Sequence, residues 1–410
     1  MEYKEILLKD LASKIGDGLH GTPSYDPKGD FYFVNGNNLE EGNIVIKDTT
    51  KTVNRETFEK YKKDLSKRTL LVSINGTIGK IAKFNNENIV LGKSACYINL
   101  NDTADKNYIY FLLKSREFQN YIQQYATGTT IKNVSLKTIR NFKVKLPALK
   151  YQNRVSTILQ NIENKIQLNY KMIANLEELS QTLFKRWFID FEFPDRNGAP
   201  YKSSGGEMID SELGEIPKNW SIKTVKETAE SFNSIRKPLS KLEREKRESI
   251  YPYYGATKII DYVDNYIFDG KYILVGEDGT VQTEAGNPFI QYVWGKFWVS
   301  NHAHILKGKL ISDELLMLYL KNTNVAPYIT GAVQPKLNKK NLNSIKFVIA
   351  DKETIIKFEN FIKSYFQKIR ILNKENKKLI ELRDTLLSKF MSGEIEIPDD
   401  IEVNTDELSI

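Results

Sequence analysis

The chain repeats itself. Slid along itself by 203 positions, Thr127-Gly128 falls on Thr330-Gly331, Lys137 on Lys340 and Lys143 on Lys346. Lys165-Ile166 falls on Lys368-Ile369, Glu178-Leu179 on Glu381-Leu382, and Thr182-Leu183 on Thr385-Leu386. No gap is needed from Thr127 to about 190. The same shift puts Leu71-Val72 on Leu274-Val275 and Gly76-Thr77 on Gly279-Thr280, with small insertions between. A duplication on this scale in 410 residues predicts two similar units, each with its own core.

Each copy has a variable first part and a better-matched last part. The first parts carry short apolar runs punctuated by Gly and Asn: FYFV, NIVI, TLLVSI and ACYINL, then YILVG, FIQYVW and AHIL. These read as strands. Helical stretches follow, around 107–125 and 313–321. The expected fold class is α+β, with two β-rich domains joined by two long antiparallel helices in a pseudo-twofold tandem repeat. The expected boundaries are 1–147, a helix 148–193, a linker 194–214, a second domain 215–350, a helix 351–393 and a tail 394–410. The tail is acidic after Pro398, and ends of this kind fray.

The last parts show a 3-4 alternation over several heptads, the mark of a coiled-coil seam. In the first helix it runs through Val155, Leu159, Ile162, Ile166, Asn169, Ile173, Leu176 and Leu183. In the second it runs through Phe358, Ile362, Ile369, Leu372, Asn376, Leu379 and Leu386, broken at Arg383. An antiparallel pair with aligned ends brings Asn169 within a turn of Asn376. A hydrogen bond between their amides would fix register, as polar seam residues do. Phe184, Trp187, Phe188, Tyr365 and Phe366 offer either an apolar face to a partner or a seal of the helix ends against the chain's own domains.

Composition narrows the chemistry. One cysteine, Cys96, excludes an intramolecular disulfide framework and points to a reducing compartment, the cytoplasm. Three histidines, His20, His302 and His304, leave too few soft ligands for a structural metal, so none is expected. No run of 18 apolar residues marks a membrane span, and nothing at the N-terminus resembles a signal peptide. Gly76-Thr77-Ile78-Gly79-Lys80 has the wrong spacing for a phosphate loop and reads as a glycine hairpin. Asn287-Pro288-Phe289-Ile290 lacks the second proline of an amino-methyltransferase loop and reads as a turn. Pro194-Asp195 and Pro398-Asp399 lack the downstream acidic-x-Lys element of a nuclease. The chain is therefore expected to be no catalyst and to hold no cofactor.

Sixty Lys and Arg against 52 Asp and Glu leave a net charge of +8, which suits a polyanion. Backbone phosphates call for Lys and Arg, and base edges for Asn, Gln, Arg, Lys and His. The first unit offers Asn35, Asn37, Asn38, Lys80, Lys83, Lys93 and Lys132. The second offers Arg236, Lys237, Tyr253, Tyr254, Lys258, His302, His304, Lys336 and Lys339. KLEREKRE (241–248) reads as a solvated helix. The competing expectation is a coiled-coil scaffold that binds proteins without DNA specificity.

Four segments carry a family resemblance: KLPALKYQNRVSTIL (145–159), LFKRWFIDFEF (183–193), GEIPKNWSIKTVKE (214–227) and LIELRDTLLSKFMSGEIEI (379–397). With the repeated plan, they resemble the specificity subunit of type I restriction-modification systems over nearly the whole chain. The Pro-x-Leu-x-x-Gln segment falls on Pro147, Leu149 and Gln152; in the second copy Ala350 and Ile355 replace the proline and glutamine. The resemblance implies two target recognition domains, each reading one half of a split site in double-stranded DNA. It implies that the helices space them and dock two DNA adenine methyltransferase subunits, which bind S-adenosylmethionine. It also implies translocating restriction subunits that use ATP and magnesium.

Overall fold

The computed structural model describes residues 3–331 and 333–398; residues 399–410, most of the expected acidic tail, lie outside the described residues. The chain divides into two units. One joins the residues up to Asn169 with those from Lys374, and the other is the continuous stretch Tyr170–Asn373.

The first unit is built on a four-stranded antiparallel sheet, in the order Ala12–Asp17, Ala95–Leu100, Thr69–Ser73 and Ile81–Lys83. Thr69–Ser73 is buried throughout because both faces of the sheet are covered. Leu70 and Val72 point into the main core, and Leu71 points into a second cluster with Val34 and Leu91. Alternate side chains of a strand face opposite ways, so a strand covered on both sides reads as an unbroken apolar run. A small sheet of Thr52–Val53, Phe31–Val34 and Ile89–Leu91 lies beyond that second cluster, its last two strands parallel. Lys4–Leu7 pairs with Lys143–Leu146 and joins the two ends of the head.

The second unit repeats this order with Ala229–Ser231, Ala303–Gly308, Tyr272–Gly276 and Ile290–Val293. Ile273 and Val275 face its main core, and Leu274 faces the cluster of Phe268 and Phe297. Its second sheet contains Ile259–Val263, Tyr251–Tyr254, Lys296–Val299 and Phe268–Asp269, again with a parallel central pair. Ser221–Thr224 with Lys346–Ile349 closes the head. The expected helix at 107–125 is two helices, Lys106–Lys114 and Arg116–Gln124. Ser115 caps the second of them through its side chain, which breaks the run. Only Lys241–Glu245 of the charged run at 241–248 is helical.

The first long helix spans Leu149–Phe184 and ends in a π turn, Lys185–Ile189; the second spans Lys352–Ser392. In each unit their halves run antiparallel. Val155 and Leu159 share a core with Leu387 and Phe390 in the first unit. Asn169 Nδ2 donates to Asn376 Oδ1 at 2.9 Å and to Glu375 Oε2 at 3.0 Å. In the second unit the Trp187 ring centroid is 5.4 Å from that of Phe358.

Of the expected seam, Val155, Leu159, Ile166, Asn169, Phe358, Ile362, Ile369, Leu372 and Asn376 are buried. Ile162, Ile173, Leu176, Leu183, Leu379 and Leu386 are half-buried. Gln152, a polar residue within the frame, is also buried, and Glu163, Phe366 and Leu387 are buried outside it, because the heads cover a second stripe on each helix. The expected aromatic partner face is corrected by the same packing: Phe184, Trp187, Phe188 and Phe366 are core residues of the second unit, and Tyr365 is half-buried.

The departure at Ala350 and Ile355 is compensated locally. In the first unit Gln152 Oε1 accepts from Asp105 N at 2.9 Å, while its Nε2 donates to Pro147 O at 2.9 Å. In the second, Glu359, one turn further along, accepts from Ser312 N at 2.6 Å. Asp351 caps the second helix by accepting from Thr354 N at 3.0 Å. Asp105 and Ser312 are the N-caps of matching nine-residue helices, Lys106–Lys114 and Asp313–Lys321.

Candidate nucleic-acid interface

Each head carries the same brace of two loops. In the first unit the turn after Thr69–Ser73 meets the loop at 126–134. Gly76 N donates to Lys132 O at 2.9 Å, Val134 N to Ile74 O at 2.8 Å, and Thr127 and Asn133 exchange backbone bonds of 2.9 and 2.8 Å. In the second, Gly279 N donates to Pro335 O at 3.1 Å, Leu337 N to Glu277 O at 2.9 Å, and Thr330 and Lys336 exchange bonds of 2.9 and 2.8 Å. Every pair in the second head lies 203 positions after its counterpart in the first.

The glycines in these loops are required. Gly128 has φ +90° and Gly331 φ +88°. A Cβ would fall 2.2 Å from Ile131 O at the first and 2.4 Å from Gln334 O at the second. The backbone is thus held in common while the side chains have diverged. Ile131 and Val333 at the tips are exposed.

In the first unit the brace borders a shallow polar cleft of about 280 Å³, lined by Asp17, His20, Asn75, Lys93, Asn133 and Ser135 among others. His20 Nε2 and Asp17 Oδ2 are 2.6 Å apart. Asn75 Nδ2 donates to Asn133 Oδ1 at 3.3 Å. Lys93 and Lys132 are exposed, and Lys132 Nζ donates to Gln123 Oε1 at 2.7 Å. The turn bearing Asn35 and exposed Asn37 abuts Lys93's neighbour, with Ser94 Oγ donating to Asn35 Oδ1 at 2.9 Å. Lys80, half-buried, lies 3.8 Å from Glu40.

In the second unit His302 Nδ1 meets Asp278 Oδ1 at 2.5 Å beside the brace. Lys336 Nζ lies 3.5 Å from Glu277. Lys237, Lys258 and Lys339 are exposed. The brace thus gathers Lys93 and Lys132 in one head and His302 and Lys336 in the other.

Five expected contacts have structural roles instead. Buried Asn38 donates through Nδ2 to Val45 O and Thr50 Oγ1, each at 2.9 Å. Lys83 turns toward the first long helix and donates to Gln160 Oε1 at 2.5 Å. Arg236 donates to Glu277 Oε2 and Ala303 O, each at 2.7 Å. Buried Tyr253 accepts from Leu239 N at 3.0 Å and lies under Arg244. His304 is fully buried: Nδ1 accepts from Asn233 at 2.7 Å, and Nε2 donates to Leu337 O at 2.6 Å, supporting the brace from beneath. Burial holds its pKa below the ordinary value. Burial alone would raise the Glu277 carboxyl, but the Arg236 hydrogen bond and the charges of Arg236 and Lys336 outweigh it and hold it low. Tyr254 is half-buried against Phe297.

Asn75, Asn133 and Asp278 are absent from the expected set. Extending the Gly76/Gly279 anchor back by one residue finds Asn75 and Asp278. Reading the Thr127-Gly128 repeat on to 133 and 336 finds Asn133. Among the described residues no cluster of His, Cys, Asp and Glu is fit to hold a metal, and no helix is long and apolar enough to cross a membrane.

Comparison with known proteins gives the same repeat. The family model described as "Type I restriction modification DNA specificity domain" matches twice, at residues 2–178 and 217–381. A putative type I restriction enzyme specificity subunit of Haemophilus influenzae is 38% identical over 128 residues, covering 31% of this chain and 32% of the relative. The type I restriction enzyme MjaIX specificity subunit of Methanocaldococcus jannaschii is 23% identical over 295 residues, covering 67% of this chain and 66% of the relative. Each alignment spans less than two thirds of its relative's length. The crystal structure of a type I restriction-modification S subunit from M. genitalium has the same fold, with a TM-score of 0.57, 20% identity and coverage of 95% of this chain and 96% of that one. With two matches that together span most of its length, the chain belongs to the type I restriction-modification DNA specificity domain family.

Proposed function

We propose that this chain is the address-reading subunit of a type I restriction-modification complex. Its two heads, 1–147 and 215–350, each read one half of a split site in double-stranded DNA, and the helices at 148–193 and 351–393 set the gap. The observation that carries this reading is the loop brace, with one backbone scaffold held at a constant offset in both heads and different side chains on it. Two readers of one geometry and different chemistry suit two half-sites of different sequence. Asn75, Lys93, Lys132, Asn133, Asn35 and Asn37 are the contacts assigned to the first half-site. His302, Asp278, Lys336, Lys237, Lys258 and Lys339 are those assigned to the second.

The reading extends to the partners of the family. Two adenine methyltransferase subunits would supply S-adenosylmethionine, and restriction subunits would supply the ATP- and magnesium-dependent work. This chain supplies address and geometry, holds no cofactor, and works in the cytoplasm. Base modification inside a duplex requires extrusion of the base, and that chemistry falls to the partners.

Selection by the full chain from a random duplex library tests the function. The expected result is one motif of two short blocks at one separation, bound with affinity that falls steeply as salt rises, because each phosphate contact releases counterions. Salt-independent binding with no enriched motif overturns the reading.

A further inference from the structure

Each head is fastened to its long helices at one corner, and the two corners occupy the same place in the fold. Lys83 pairs with Leu70 across the outer edge of the first four-stranded sheet, and Tyr292 pairs with Ile273 in the second. Leu70 and Ile273 are 203 positions apart, so register makes Lys83 and Tyr292 equivalent. Each meets the second residue of a nine-residue helix. Lys83 Nζ donates to Asn107 Oδ1 at 3.3 Å, and Tyr292 Oη donates to Glu314 Oε1 at 2.6 Å.

From that corner each head reaches a long helix through polar groups. In the first unit Lys83 donates to Gln160 at 2.5 Å. Next to it, buried Glu163 accepts from Lys114 at 2.7 Å and Tyr110 Oη at 3.3 Å, and lies 3.6 Å from Arg383 of the other long helix. In the second unit Arg370 Nη1 donates to Tyr292 Oη at 2.6 Å and to Glu314 Oε1 at 3.1 Å. Lys271 completes this cluster at 2.8 Å from Glu314. The residue types differ between the two corners, but the place and the task agree.

Elsewhere the head–helix contact is mainly apolar, with Leu159 and Leu387 in the first unit and Ile369 and Phe366 in the second; the Gln152–Asp105 and Glu359–Ser312 bonds, and Asn322 Nδ2 donating to Gln181 Oε1, add single polar ties. Apolar burial is non-directional and does not by itself choose one tilt. Buried ion clusters add little net stability because desolvation offsets their attraction, yet their hydrogen bonds are directional.

We propose that these two corners are positioning sites, which hold each head at one tilt on its helices and so set the gap length accepted between half-sites. The proposal rests on the DNA-reading function above. A head of about 140 residues has a radius of gyration of about 14 Å. A tilt of about 14° at that radius therefore carries its reading surface by about 3.4 Å, one base-pair step.

The test is selection from a random 30-base-pair duplex library by the full chain, comparing wild type with Arg370→Met, Tyr292→Phe and Arg383→Met. Wild type enriches two blocks at one separation. The variants keep the same bases in both blocks and spread over neighbouring gap lengths. The share at the wild-type gap falls about three- to tenfold, the weight of one or two hydrogen bonds. Tyr292→Phe retains the ring packing on Phe366 and Trp294, so it carries the test if Arg370→Met fails to fold. Variants that keep the single wild-type gap overturn the proposal. Altered bases in either block also overturn it, since a positioning group does not read. If wild type itself selects no two-block motif, the function falls and this inference falls with it.

Discussion

At the residue scale, burial separates contact from support. His304 has the composition of a base reader but is sealed beneath the loop brace as a neutral ring. Its folded pKa lies below the ordinary 6.5, so the unfolded chain binds the extra proton more readily. This contribution to stability is intact above about pH 6.5 and is lost as pH falls below it. Between pH 7 and 5 the wild type should lose up to about 1.4 kcal/mol more per pH unit than His304→Gln, which keeps a donor and cannot titrate. Urea unfolding at each pH measures the difference; parallel slopes for the two proteins would refute it. Lys93 and Lys132 lie on the solvent side of the same architecture. Lys93→Ala and Lys132→Ala should each weaken DNA binding on all sequences and lower the salt slope by about 1. A change in the preferred bases would show that they meet base edges rather than phosphates.

At the scale of elements, the long helices meet through a polar pair in an apolar seam. Asn169 and Asn376 share one hydrogen bond, while Asn169 Oδ1 and Asn376 Nδ2 are buried without a partner. Such atoms cost about 1–3 kcal/mol each. Replacing both residues with Leu should therefore stabilise the protein by about 1–2 kcal/mol in urea unfolding, while Asn376→Ala alone should destabilise it. A double variant less stable than wild type would show that the pair contributes more than register. The period of the apolar residues made this seam legible in advance. The second buried stripe, with Glu163, Phe366 and Leu387, was not legible, because it exists only where a head lies against the helix.

At the scale of the molecule, the two units differ in continuity. The second is one stretch of chain, whereas the first needs residues from Lys374 onward. Leu387, Phe390 and Ile397 are part of its core. Stopping the chain after Asn373 removes about 5–9 kcal/mol of apolar burial, comparable with the whole stability of a domain. Calorimetry of that truncated chain should show the transition of the second unit retained and that of the first lost. Two intact transitions would refute this assignment of the core. Exchanging residues 1–147 for those of another family member should change one half-site and leave the other unchanged; a change in both would refute the modular reading.

Duplication, strand content and helix phase are written in the order of residue types, because each is a local or periodic property that survives without knowledge of the fold. The repeat at 203, the runs TLLVSI and YILVG, and the Asn in each seam needed no coordinates. Tertiary structure alone decided which polar residues face outward. Asn38, Lys83, Arg236 and His304 are chemically as suited to DNA as Lys93 or Lys132. Their partners come from strands and helices distant in the chain, and only folding brings Leu337 to His304 or Gln160 to Lys83. A side chain's bonding capacity is local, but whether protein or solvent satisfies it depends on what else is brought within 3 Å.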